Sequence, residues 1–100
     1  MELQVNRLIR SNVKISEIED GFKATVRGHI LEFKKLAERQ YEVFEGKEQC
    51  AYFISLGRCL TVLNPSGGGI MTVNDASLET MKDKECCSLV ADMLVRRNEK

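Results

Sequence analysis

Cys50-Ala51-Tyr52-Phe53-Ile54-Ser55-Leu56-Gly57-Arg58-Cys59-Leu60-Thr61-Val62-Leu63-Asn64-Pro65-Ser66-Gly67-Gly68-Gly69-Ile70-Met71-Thr72-Val73 is a run of 24 residues with one charge, Arg58, in a chain that is 30% charged. It divides into three apolar pieces, Cys50 to Leu56, Cys59 to Leu63 and Ile70 to Val73. Gly57-Arg58 and Asn64 to Gly69 separate them. Short β-branched and aromatic runs divided by Gly, Pro and Asn predict antiparallel strands joined by turns. In the first strand Tyr52, Ile54 and Leu56 point one way and Ala51 and Phe53 the other, so both faces are apolar. Such a strand needs cover on both sides. One cover is the core; the other is a helix, a second sheet layer or another copy of the protein. A single buried helix over Lys47 to Leu63 is disfavoured by Gly57 and by Thr61-Val62.

Working backward, Glu45 to Glu48 is a polar break, and the segment before it carries two patterns. Ile30, Phe33, Ala37, Tyr41 and Phe44 recur at helical spacing, with Lys34, Lys35, Glu38, Arg39 and Glu42 on the wet side. Yet His29 to Phe33 and Tyr41 to Phe44 are composed like strands. A hairpin turning near Ala37 to Gln40 is the reading adopted; a helix over 29–45 is the alternative. Earlier still, Phe22, Ala24 and Val26 alternate with Lys23, Thr25 and Arg27. Val13, Ile15 and Glu17 alternate in the same way, and Asp20-Gly21 is of the kind that closes a tight hairpin between the two runs. Leu3, Val5, Leu8 and Ile9 read as a strand or an irregular lead-in.

Working forward, Cys86, Leu89, Val90, Met93 and Leu94 fall on the stripe of an amphipathic helix. It is expected to start near Asp83, after a short turn at Ala76 to Met81, capped by Asn74-Asp75 or Asp83. Lys84, Asp92, Arg96 and Glu99 lie off the stripe, and Arg96, Arg97 and Lys100 suit the negative end of the helix. The sum is one domain over 1–100 in the α+β class. It is an antiparallel sheet of about five to seven short strands with a C-terminal helix packed on it. In element order alone this resembles a pleckstrin-homology-type barrel, which implies a small-ligand or lipid-headgroup binder.

The totals exclude several classes. Fifteen basic and fifteen acidic residues cancel, so no global field draws the protein to nucleic acid or anionic lipid. Nothing approaches the apolar length of a membrane span, and charges near the start replace the apolar core of a signal peptide. Cys50, Cys59, Cys86 and Cys87 sit in apolar surroundings without Cys-x-x-Cys spacing, so reduced thiols and a cytoplasmic location are expected, with no metal site.

The remaining chemistry is sparse. Gly67, Gly68 and Gly69 are able to offer backbone N–H groups to an anion, but Ile70-Met71-Thr72 follows where a nucleotide loop needs Lys-Ser or Lys-Thr. A hairpin connection is the plainer reading. His29 is the one histidine, and any Cys-His or Ser-His mechanism must use it. No nucleophile lies near it in sequence, and the carboxylates read as a solvated face.

The functional expectation is therefore a cytoplasmic, non-enzymatic binding or regulatory module. It acts through protein–protein contacts, including contact with a second copy of itself, and has no cofactor. Its surfaces would be the helix face bearing Cys87 and Val95, a patch of Leu56, Leu94 and Val95, or an unpaired strand edge. The alternative binds a small ligand or lipid headgroup through Arg58, Gly67, Gly68 and Gly69, helped by Lys34 and Lys35.

Overall fold

In the computed structural model, which describes residues 13–98, seven strands form one antiparallel meander: β1 (Val13–Ile18), β2 (Gly21–Val26), β3 (His29–Ala37), β4 (Gln40–Glu45), β5 (Glu48–Leu56), β6 (Cys59–Leu63) and β7 (Gly69–Asn74). A 3-10 turn at Ala76–Glu79 leads into one helix, α1 (Asp83–Asn98). Each strand pairs with the next in sequence, which tight turns make possible without any crossover. The α+β expectation and its strand count hold. The reading of Leu3, Val5, Leu8 and Ile9 lies outside the described residues.

The segment with two patterns is the hairpin β3–β4, with Phe33 opposite Val43 and Lys34 opposite Glu42. The helix over 29–45 is thereby corrected. Its i, i+3, i+4 spacing arose from two strands whose buried residues, Leu31 and Phe33, then Tyr41 and Val43, each alternate at period two. The turn between them displaces the phase enough to mimic a helical stripe.

The inner face gathers Ala24, Val26, Leu31, Phe33, Tyr41, Val43, Ala51, Phe53, Leu60 and Val62, all essentially inaccessible. Phe53 lies at its centre, edge-on to Phe33 at 6.0 Å between ring centroids and stacked on Tyr41 at 5.5 Å. Helix α1 packs on this same face, chiefly against β1 and β2. From Cys86 to Asp92 every residue of the helix is buried, and so are Leu94 and Val95. The helix is thus wider in its burial than the sequence stripe. Asp92, which falls outside that stripe, is fully buried, with one carboxylate oxygen 2.8 Å from Arg96 Nε. The helix supplies the inner cover and leaves the outer side of β5 and β6 as it was.

The start of α1 is built from local chemistry. Asp75 caps the 3-10 turn, accepting from Ser77 N–H at 2.9 Å. The Glu85 carboxylate reaches back to Lys82 N–H at 2.9 Å, the return half of a capping box. Asp83, expected as a cap, is instead the first helical residue, with its carboxylate committed elsewhere.

Gly21 has a different role from the one its Asp-Gly context suggests. The β1–β2 turn is Glu19-Asp20, and Gly21 already stands in β2, opposite Ile18 and Lys34. A Cβ on Gly21 would lie 1.8 Å from the Phe33 carbonyl oxygen. Backbone approach, not turn conformation, requires glycine here. Gly21→Ala is therefore expected to push β2 from β3 and to cost at least about 2 kcal/mol. Urea unfolding followed by circular dichroism checks this, and an unchanged midpoint would count against so close an approach.

Candidate functional site

The turns fall at two ends of the sheet. Glu19-Asp20, Glu38-Arg39 and Gly57-Arg58 lie at one end, with the start of α1; Arg27-Gly28, Gly46-Lys47 and the Asn64–Gly68 loop lie at the other. This separates the expected anion site. Arg58 immediately precedes β6 and the glycines follow it. A five-residue strand keeps them roughly 17 Å apart along the sheet.

Each component also has other engagements. Arg58 Nε lies 3.6 Å from Glu79 Oε1 on the exposed rim. Lys34 Nζ sits 4.7 Å over the Phe44 ring. In the glycine loop, Asn64 Oδ1 accepts from Ser66 N–H and Gly68 N–H, both at 3.0 Å, and Asn64 C=O accepts from Gly67 N–H at 2.9 Å. The donors an anion would need at Ser66, Gly67 and Gly68 are already used by the loop itself. The structure does not bring Arg58, Gly67, Gly68 and Gly69 together as one site.

His29 opens β3, and its Nδ1 is 3.0 Å from Glu45 Oε2, with both side chains about half exposed. Cys50, two residues into β5, feels the same Glu45. Burial first, and that carboxylate second, push its thiol up, opposite to the shift a nucleophile requires. Cys86 and Cys87 are raised as well, again mainly by burial. All four cysteines are free thiols. Among the described residues no three His, Cys, Asp or Glu side chains are grouped to hold a metal ion.

The other end holds the densest polar cluster among the described residues, centred on a residue that sequence reasoning left on the wet side. Arg39, placed among wet residues by the helical alternative, occupies the β3–β4 turn with a φ of +61°. Its side chain folds inward. Nη1 donates to Met81 C=O at 2.7 Å, Nη2 to Leu78 C=O at 2.7 Å and to Ser55 Oγ at 3.0 Å, and Nε to Ser55 C=O at 3.2 Å. Asp83 lies 4.0 Å away and accepts from Tyr41 OH at 2.8 Å. Burial, then this carboxylate, raise Tyr41 above the ordinary phenol range. The five donors of a guanidinium answer the carbonyls left open where the chain leaves the 3-10 turn. The cluster is a fastener, since every group in it faces another. Beside it a shallow groove of about 680 Å³ is lined by Glu17, Glu19, Asp20, Lys35 and Leu36, an open acidic rim with no nucleophile and base in register.

The outer surface is segregated by charge. Over β2–β4, Lys23 stands opposite Glu32 and Lys34 opposite Glu42, cross-strand pairs that suit a wet face. Past Glu48, which opens β5, the outward positions are Tyr52, Ile54, Leu56, Cys59, Thr61, Leu63, Thr72 and Asn74, with no charge among them. Leu56 is 67% exposed. Ile54, Leu56, Cys59, Thr61 and Leu63 line a depression of about 300 Å³. The patch expected from Leu56, Leu94 and Val95 is corrected: Leu94 and Val95 are buried in α1, as is Cys87, so no such helix face is open. The outward neighbours of Leu56 are strand residues.

Comparison with known proteins found no matching family model, no matching curated protein and no matching solved structure. No described helix is long and apolar enough to cross a membrane.

Two measurements follow from this geometry. Arg39→Ala leaves three carbonyls and Asp83 without their cation and is expected to lower stability by about 3 kcal/mol, with Arg39→Lys recovering little because it lacks the fork. Denaturant midpoints at constant m-value report it. With a disulfide reagent at pH 8, Cys59 should react first and Cys86 and Cys87 only on unfolding. Rapid native labelling of either helix thiol, read by peptide mass, would contradict their burial.

Proposed function

We propose that this protein is a non-enzymatic contact module whose working surface is the uncharged flank formed by β5, β6 and β7, and that its partner there is a second copy of the same chain. The observation that carries the reading is the charge segregation of the outer face. β1 to β4 carry lysines and glutamates outward; past Glu48, at the start of β5, the outward positions of the next three strands carry none. An uncharged apolar face in a chain this rich in charge is a surface reserved from water.

Two features favour a second copy over an unrelated partner. An uncharged flank selects no complementary field, and a duplicate supplies an equally uncharged one. The formal net charge of zero also sets no long-range repulsion between copies. The four thiols, free and mostly sheltered, support a reducing compartment such as the cytoplasm. The rival reading, an anion or headgroup binder, has its proposed contacts at opposite ends of the sheet and its loop donors already engaged.

Sedimentation equilibrium of the full chain over roughly 5–200 μM tests this, since an interface of modest size implies micromolar affinity. A monomer–dimer equilibrium is expected. Because no charged pair holds it, raising salt from 50 to 500 mM should leave the constant unchanged or tighten it. A protein that stays monomeric throughout, or a dimer dissolved by salt, would overturn the reading.

A further inference from the structure

We infer that the groove beside the Arg39 cluster docks a linear segment of a partner protein, one that carries an arginine or lysine next to an apolar side chain. This surface is separate from the β5–β7 flank, and the inference does not depend on self-association there. The groove, of about 680 Å³, is lined by residues of β1 to β4 and their turns, with no residue of α1 among them. Glu17 stands opposite Phe22, and Lys35 opposite Tyr41, on the inner side of the sheet. It is thus a part of the inner side that the helix leaves open.

Both lips of the groove are held by the backbone. On one side the Glu19-Asp20 turn is tied across to β3, because Lys35 N–H donates to Asp20 C=O at 2.9 Å. That bond carries the β2–β3 contact one step past its last pair, Gly21 and Lys34. On the other side the register of β3 against β4 shifts between Lys35 and Ala37. Leu36 is the extra residue there, and a bulge re-aims the side chain it carries. Leu36 is 57% exposed. Between the lips Phe22 and Tyr41 form an aromatic floor, with ring centroids 6.0 Å apart. A groove already formed costs little reorganisation when a chain enters it.

The charge on the groove names the occupant. Glu17 continues the inward row of Val13 and Ile15, yet it is a carboxylate. Glu17, Glu19 and Asp20 are exposed, and none of them makes an ion pair among the described residues. Lys35 lines the same groove and is bonded to none of the three. Three carboxylates against one ammonium leave two negative charges there, in a chain of zero formal net charge. On the outer face, by contrast, lysines and glutamates stand opposite one another within the sheet. Complementarity therefore selects a cation, and an apolar neighbour of that cation would cover Leu36. Arginine suits both surfaces, since its face stacks on aromatic rings while its edge meets carboxylates. A small free cation is best held in an enclosed pocket; an open groove fits a chain laid along it.

Panning phage that display random twelve-residue peptides against the full chain tests this. Selected sequences are synthesised and their binding read by fluorescence anisotropy, with circular dichroism as the folding control. The variants are Glu17→Gln/Glu19→Gln/Asp20→Asn, Leu36→Ser and Lys35→Gln, all at exposed positions. Selected peptides are expected to carry arginine or lysine beside an apolar residue. The triple variant and Leu36→Ser should each weaken them at least about 10-fold, and Lys35→Gln should tighten them about threefold. Raising salt from about 50 to about 500 mM should weaken binding to wild type. A panning that enriches no peptide, peptides without basic residues, or equal affinity for the triple variant would each overturn the proposal. Phenethylammonium shifting the amide resonances of Glu17 and Leu36 while no peptide is selected would assign the groove to a small amine, and overturn it as well.

Discussion

A guanidinium enclosed by carbonyls holds this architecture to one geometry. Arg39 reaches from the β3–β4 turn to the main-chain oxygens of Leu78 and Met81, and to Ser55 on β5. It thereby joins the middle of the meander to the segment that carries the chain off the last strand and into α1. A helix lying on the inner face of a sheet has no hydrogen-bond ladder to fix its position, and apolar packing alone is weakly directional. Bonds from a planar fork supply the direction. The φ of +61° at Arg39 is part of the same arrangement, because the left-handed turn lets the side chain fold back under the sheet. An unfavourable backbone conformation persists where the surrounding contacts over-determine it.

The strands were legible because their signal is local. Phe22, Ala24 and Val26 alternate against Lys23 and Thr25, and the pieces of the central run end at Gly57 and Asn64. Each boundary is a property of two or three neighbouring residues. The 29–45 segment was ambiguous for a physical reason, since two period-two strands on either side of a short turn produce coincidences at three and four residues. The helix was legible in its existence and its start, but not in its burial. Asp92 and Cys87 fall outside or beside the stripe on a helical wheel drawn alone, and both are buried in the folded chain.

The site was less legible than the fold. Arg39 sat among Lys34, Lys35, Glu38 and Glu42, a neighbourhood that reads as solvent, and its acceptors lie 16 to 42 residues away in sequence. One signal was available: an Arg at a tight turn where Asn or Gly is usual. The glycine loop misled in the opposite sense. Gly67, Gly68 and Gly69 advertise free N–H groups, but Asn64 stands where its side chain and carbonyl can take the donors of Ser66, Gly67 and Gly68. A glycine-rich loop is a ligand site only when its donors converge outward, and here they converge on Asn64.

The double apolarity of the central run is the feature that fold formation did not resolve. The inner halves of β5 and β6 are explained by the core and α1, and would be satisfied by any sheet alternating apolar with polar. Nothing in that packing requires Tyr52, Ile54, Leu56 and Leu63 to be apolar on the other side. On β2 to β4 the same outward positions hold Lys23, Glu32, Lys34 and Glu42, so the fold itself accepts charge there. The absence of charge at the outward strand positions from Tyr52 to Asn74 is therefore a constraint separate from folding. It ends at β7, the edge strand of the sheet, which is bulged at Ile70. A surface of that kind gains nothing from the packing of the sheet and α1, and the contact between molecules proposed above is a reading that accounts for it.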